Sequence, residues 1–287
     1  MTKIKDLSDK IVPSIIGTFE NQSHVLKFVE YVKHNEPWLS KFDELIISAN
    51  GDKPWCEQLI SELAPYFKTK ITLLYTEPNL GHTFGIFDLD RKIFEYCANK
   101  DYEYVFKLSG DVLADYTIMH VDIDETCDFF YINNIGYTAV ELYGTEQNLI
   151  NAVMDKTYFY PQTNYYIMRN KVKVWHPSST ETQSLKQQYE DKKKNDPTIT
   201  PWAAIEGCDC EGMLKRTVEA NNFKTQHLLN QEDTEAIVDI ISKYEIHDGS
   251  HKNMLYQNVG GLCHYHIMNG MAIPVVKSEE LEELVNE

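Results

Sequence analysis

The segment from Tyr104 to Asp115 reads YVFKLSGDVLAD. A short apolar run bounded by turn residues is the pattern of a strand buried on both faces. This one carries Lys107 at its centre, breaks at Ser109-Gly110, and sets Asp111 immediately beyond the break. A charge inside a buried strand and a carboxylate at its end both need partners.

The preceding residues say what kind of sheet the strand joins. Ile11 to Ile16 is a β-branched run that stops at Gly17, and Val25, Phe28, Val29 and Val32 follow at the spacing of one helix face. ELIIS, Glu44 to Ser48, ends at Asn50-Gly51, after which Leu59, Ile60, Leu63 and Phe67 keep a helical spacing. Ile71 to Tyr75 is a third strand, Asn79-Leu80-Gly81 a turn, and Ile86, Ile93 and Cys97 line a helix that leads into YVFKL. Repeated βα units predict a largely parallel sheet covered by helices. In such a sheet ligands collect beyond the carboxyl ends of the strands. Four polar loops are therefore expected to meet there, at 17–20, 50–52, 77–82 and 109–111, with glycines that let backbone approach a ligand closely. Neither G-x-G-x-x-G nor G-x-x-x-x-G-K-[ST] occurs, so the usual dinucleotide fingerprint and the P-loop are both absent.

Composition narrows the class. At 287 residues and 43% hydrophobic content, the chain can bury a sizeable core. A net charge of −17 exerts no overall pull toward nucleic acid or anionic membranes. No apolar run approaches the roughly 18 residues of a membrane-spanning helix, and MTKIKDLSDK lacks the apolar stretch of a signal peptide. The expectation is a cytoplasmic protein without a membrane partner, its six cysteines reduced.

The order of these motifs resembles a known family. A first strand ending in Gly-Thr-Phe, a second in Ala-Asn-Gly, a third followed by EPNLGH and a helix, and then YVFKLSGD looks like the nucleotide-sugar-binding half of GT-A glycosyltransferases. The resemblance implies a Rossmann-like α/β fold, with a mostly parallel central sheet flanked by helices. Residues 1–115 would bind the donor, and 116–287 would form a less regular acceptor-binding half of the same domain. It further implies a donor nucleotide sugar, a UDP-sugar foremost, contacted by Thr18, Glu20, Asn50, Asn79, Gly81, His82, Lys107, Ser109 and Asp111. In this family the fourth strand ends in a D-x-D motif that binds Mn2+ or Mg2+ and the diphosphate. Here it reads Ser109-Gly110-Asp111, so the first aspartate is missing and Asp111 remains as the metal ligand. The bland alternative is that Asp111 closes a turn.

In the second half, Cys127 to Ile132 has the composition of a strand, and Tyr158 to Met168 that of an aromatic strand broken by Pro161. Gln162, Thr163 and Asn164 could hold an acceptor sugar, whereas Tyr165, Tyr166 and Ile167 suit a core. Lys171 to Pro201 is polar and charge-rich, either a mobile segment or an exposed helix. In IEGCDCEGML, Asp209 and Glu211 precede a helical pattern. Acids there are stabilised by the helix dipole, but one of them could also serve as general base to an acceptor hydroxyl, with Asp209 ranked first. The run from Ile246 to Met268 holds His247, His251, His264 and His266. The resemblance makes His264 or His266 the second metal ligand, and within one strand the two would share a face. The tail SEELEELVNE, with Leu281, Leu284 and Val285, reads as a docking helix without chemistry.

Two other classes use the same residues. Cys208, Cys210, Cys263, His264 and His266 could assemble a zinc site, although C-x-C is not the common C-x-x-C. A non-catalytic carbohydrate- or nucleotide-binding module would keep the aromatic and amide side chains without needing a base. The acceptor is expected to be a glycan or a hydroxymethylated base of phage DNA; the Asn, Lys, Ile and Tyr content suits AT-rich genomes, including those of many phages, but does not choose between the two. Lys192 to Lys194 leave a basic patch for the second option.

Overall fold

The β-branched and aliphatic runs of the first half do become parallel strands. The computed structural model describes residues 1–19, 22–77, 80, 82–110, 112–114, 116–205, 208–243, 262–264, 266–268 and 271–273. Strands Ile11–Phe19 (β1), Glu44–Gly51 (β2), Lys70–Thr76 (β3) and Tyr104–Ser109 (β4) are joined through helices Gln22–His34, Lys53–Leu63 and His82–Cys97. Pairing of β1 with β2, β1 with β4 and β2 with β3 is parallel in each case. The second half adds Phe129–Asn133 (β5), Pro161–Arg169 (β6) and Thr225–His227 (β7), giving the order β3-β2-β1-β4-β6-β5-β7. Only β6 runs against its neighbours; it pairs antiparallel with β4 and with β5. The expected mostly parallel sheet flanked by helices is thus what forms.

Alternation along the strands divides the interior into two layers. Ile11, Ile15, Phe106 and Leu108 face Val25, Phe28, Leu59 and Leu63, while Val12, Ile16 and Val105 face Phe87, Ile93, Met213 and Leu214 across the sheet. Each fully buried aliphatic side chain contributes about 1.5–3 kcal/mol. Lys107 follows the period of Val105, so its side chain enters the second layer, under the helix His82–Cys97.

One segment of the second half differs from its reading, and another takes one of its two readings, the exposed helix. Pro161 does not break the aromatic strand but opens it, as proline can at a first position where no ladder N–H is required. The stretch after Lys171 holds a full helix, Ser179–Lys193, started by a capping box in which Ser178 and Glu181 satisfy each other's backbone N–H. Leu185 and Tyr189 seat that helix on the second layer. No helix among the described residues is long and apolar enough to cross a membrane. His247, His251 and the tail with Leu281, Leu284 and Val285 lie outside the described residues.

At the amino end of β2, far from the strand ends considered below, Glu44 is only 4% exposed. Burial alone would raise its pKa, but it accepts from Lys70 Nζ (2.6 Å), Thr72 Oγ1, Tyr96 Oη (2.8 Å) and Tyr102 Oη (2.9 Å), and these hold it at about 2. A depression from 4.5 to about 2 corresponds to about 3 kcal/mol of stability, present above the unfolded-state pKa and lost as pH falls toward 2. Glu44→Gln is expected to melt lower at pH 7 and to narrow its gap from wild type as pH falls from 5 to 2. A constant gap across that range, by thermal unfolding, would show that the charge is not the source.

Candidate active site

The carboxyl ends of β1 to β4 lie side by side. Thr18 is opposite Asn50, Asn50 is opposite Thr76, and Ile16 is opposite Ser109. Asn50 is 1% exposed, yet its Oδ1 has no hydrogen-bond partner, and neither does the buried Thr76 Oγ1 beside it. A buried polar atom left unsatisfied costs about 1–3 kcal/mol. Two such atoms, on adjacent strands at the ligand end of a parallel sheet, are what a bound polar group would satisfy.

The glycines at these ends have an internal reason first. Gly51 has φ +120°, and a Cβ there would collide with the Phe19 carbonyl oxygen; at Gly110 it would enter the Phe28 ring. Close approach is therefore required by Phe19 and Phe28, themselves packed edge to face at 5.2 Å, and not by a ligand alone.

Because β6 is antiparallel, its amino end meets the carboxyl end of β4. Leu108 is opposite Tyr165, and just beyond that pair Ser109 Oγ lies 3.5 Å from Asn164 Oδ1. Thr163 Oγ1 donates to Glu211 Oε1 at 3.1 Å. Gln162 Nε2 donates to the Asn133 carbonyl at 3.4 Å, and Gln162 Oε1 is a third buried atom without a partner. Helix Cys210–Ala220 starts at this point, and Cys210 Sγ touches the Thr83 carbonyl near the start of His82–Cys97 at 3.8 Å. Two helix starts and the ends of β4 and β6 thus converge, bringing Ser109, Asn164, Thr163, Glu211 and Asp209 into one connected group.

The two candidate bases have different surroundings. Asp209 is the N-cap; its Oδ1 accepts from Gly212 N at 2.5 Å and from Tyr160 Oη at 2.7 Å. That is the capping role open to an acid at a helix start. Glu211, in the first turn, is oriented instead by the Thr163 hydroxyl. Both acids are thus engaged, Asp209 by the helix start and Tyr160, Glu211 by Thr163.

Lys107 lies beneath the group, with no exposed surface. Its ammonium donates to the Thr163 carbonyl and to Ser109 Oγ at 3.3 Å, and sits 5.7 Å from the centre of the Tyr166 ring.

Asp111, Glu20, Asn79 and Gly81 lie outside the described residues, as does the side chain of His82. Of His264 and His266 the backbone is described. Strand Leu262–His264 pairs antiparallel with Val112–Ala114, placing His264 opposite Val112, the residue that follows Asp111. His266 belongs to a different pair, opposite Ile273, so the two histidines are not neighbours on one strand pairing. Cys208 is buried, which pushes its thiol up to about 11, and burial raises the Cys210 thiol as well. No group of three or more His, Cys, Asp or Glu side chains that could hold a metal occurs among the described residues. The side chains of Cys263, His264 and His266 lie outside them.

Sequence reasoning missed several members of this region. Tyr160 holds Asp209, and Asn133 accepts from Tyr160 N at 2.8 Å while its own N–H donates to His227 Nε2 at 3.3 Å. Burial keeps that imidazole neutral, pulling its pKa down to about 4. Asp90, 1% exposed, accepts from Tyr166 Oη at 2.8 Å. Its position was readable: Asp90 falls four after Ile86 and three before Ile93, on the apolar face of the helix.

No family model matches the chain, and no curated protein matches it. Among solved structures it is similar to core-mannan synthase A from Aspergillus fumigatus in its Mn/GDP form, at 10% identity over 76% of this chain and 72% of that one, with a TM-score of 0.39. It is similar also to the galactosyltransferase LgtC in complex with donor and acceptor sugar analogues, at 13% identity over 75% and 72%, TM-score 0.44. A third is a mannosyltransferase from Pyrobaculum calidifontis in complex with GDP-Man and Mn2+, at 8% identity over 79% of this chain and 56% of that one, TM-score 0.46.

Proposed function

We propose that the chain is a glycosyltransferase that moves a sugar from a nucleotide-diphosphate sugar to an acceptor hydroxyl. The observation that carries this reading is the Thr163–Glu211 hydrogen bond beside the Ser109–Asn164 contact, which sets an oriented carboxylate against the donor-side strand ends. Thr18, Asn50 and Thr76 face the nucleoside, with the unpartnered atoms of the last two as its polar contacts. Ser109 is the diphosphate contact, and Asp111 is assigned to its metal. Gln162 and Asn164 hold the acceptor, and Glu211 takes its proton as the acceptor oxygen bonds to the anomeric carbon and the bond to the diphosphate breaks. Single displacement of this kind inverts the anomeric centre.

A divalent metal fits this donor set. A carboxylate and an imidazole are ordinary ligands of Mn2+, and a carboxylate is one of Mg2+; the backbone pairing of His264 with Val112 favours His264 over His266 as companion to Asp111. Bound there, the ion would supply a Lewis acid that offsets charge on the departing diphosphate. With a net charge of −17, a sugar hydroxyl is a better electrostatic match as acceptor than a polyanionic nucleic acid.

Screening UDP- and GDP-linked sugars by thermal shift, with Mn2+ or with chelator, tests the reading. One donor is expected to raise Tm by several degrees only with metal, since a ligand at 100 times its Kd adds about 2.7 kcal/mol, and to be slowly hydrolysed without acceptor. Binding without hydrolysis or transfer to any acceptor, hydroxymethylated DNA included, would return the chain to the class of binding modules. Stoichiometric zinc in protein purified without chelator would favour the zinc reading.

A further inference from the structure

The buried charges behind the site take no part in the reaction just described, yet they touch both of its halves. Lys107, wholly buried on β4, donates to Ser109 Oγ on the donor side and to the Thr163 carbonyl on the acceptor side. Thr163 in turn donates through its hydroxyl to Glu211. Across the strand pair Lys107 is opposite Tyr166, whose hydroxyl donates to Asp90 Oδ2 at 2.8 Å, while Asp90 Oδ1 has no hydrogen-bond partner. Asp90 reaches in from helix His82–Cys97, the element that follows the third donor loop. A lysine and an aspartate in one apolar layer are costly, and a pair of apolar residues of similar volume would often serve stability as well or better. Their presence therefore calls for a reason other than stability.

We propose that Lys107, with Asp90 as its counter-charge and Tyr166 between them, is a positioning residue that fixes the separation of the donor-side Ser109 and the acceptor-side Thr163–Glu211 pair. Lys107 touches neither substrate; it acts through the two strand ends it ties together. Burial holds the Asp90 carboxyl above its ordinary range, and the Lys107 ammonium and the Tyr166 hydroxyl partly offset that. The kinetic consequence rests on the glycosyltransferase reading; the geometric one does not.

The test uses two paired variants of the full chain. Lys107→Met alone leaves Asp90 without its cation and is expected to melt well below wild type. Asp90→Asn/Lys107→Met removes both charges and is expected to recover that Tm, yet its crystal structure should show Ser109 and Thr163 displaced and the Thr163–Glu211 bond lost. An unchanged bond in that structure overturns the proposal. In kinetics the same double variant should lose about 10²-fold in kcat, the scale of a misplacement of about 1 Å, a loss larger than its change in donor Kd. Asp90→Asn/Lys107→Gln keeps a neutral donor aimed at the Thr163 carbonyl and should regain most of that kcat; a folded Gln variant no better than Met, or one that collapses in kcat when Met cannot be folded, also overturns it. If wild type transfers no sugar at all, the functional reading fails, and the comparison of structures still decides the positioning.

Discussion

Glu211→Gln is expected to bind the donor as wild type does and to lose about 10²- to 10⁴-fold in kcat. The loss belongs to turnover because the proton reaches Glu211 only as the acceptor oxygen attacks, so the interaction strengthens in the transition state and not on binding. The amide can still accept from the Thr163 hydroxyl, which leaves the local hydrogen bond and the helix start intact. Asp209 is the internal control. Asp209→Asn retains a capping oxygen for Gly212 N and should change kcat little, while Asp209→Ala should cost about 1 kcal/mol of stability. A tenfold larger kcat loss at Asp209 than at Glu211 would restore the order that the sequence alone favoured. Loss below about threefold in both would remove general-base catalysis, and retention of configuration in the product, read by NMR, would do so independently.

The second large effect is expected at Asp111. Asp111→Asn should keep its fold, since a polar residue at a strand-end turn carries little stability, and lose Mn2+-dependent donor binding. His264→Ala should raise the Mn2+ concentration for half-maximal activity more than about tenfold, because the site has few protein ligands to spare. His266→Ala should titrate close to wild type, as its backbone pairs with Ile273 and not with the segment after Asp111. Donor binding by Asp111→Asn at wild-type affinity and wild-type metal dependence, measured calorimetrically, would leave Asp111 a turn residue.

How much of this was legible depended on whether the physics was local. β1 to β3 could be read because each is rich in β-branched and aliphatic residues and is followed by apolar residues at helical spacing, and β4 because an apolar run ends in turn residues; burial of Val25, Phe28, Val29 and Val32 on one face follows directly. The capping box of Ser178 and Glu181 was equally local and present in the sequence, but high charge from Lys171 onward masked it. The place of β6 was not local. Nothing in PQTNYYIMR says that it inserts between β4 and β5, and only that insertion brings Asn164 to Ser109 and Thr163 to Glu211. For the same reason the different partners of Asp209 and Glu211, Tyr160 for one and Thr163 for the other, could not be read from two acids at a helix start. That Gly51 and Gly110 pack against Phe19 and Phe28 was not legible either, because those contacts join separate strand ends and a helix.

The insertion of β6 has a consequence for the order in which the molecule is made. Synthesis delivers β1 to β4 first, and until Pro161–Arg169 emerges, about sixty residues after Ser109, β4 is the open edge of the growing sheet. At about 5–20 residues per second that edge stays bare for several seconds. YVFKLS would be an adhesive strand but for the lysine in its middle, since a charge on an unpaired edge deters pairing with other chains. Until β6 docks, Lys107 would keep a charge beside that edge, and the antiparallel docking of β6 gives the ammonium the Thr163 carbonyl as a partner.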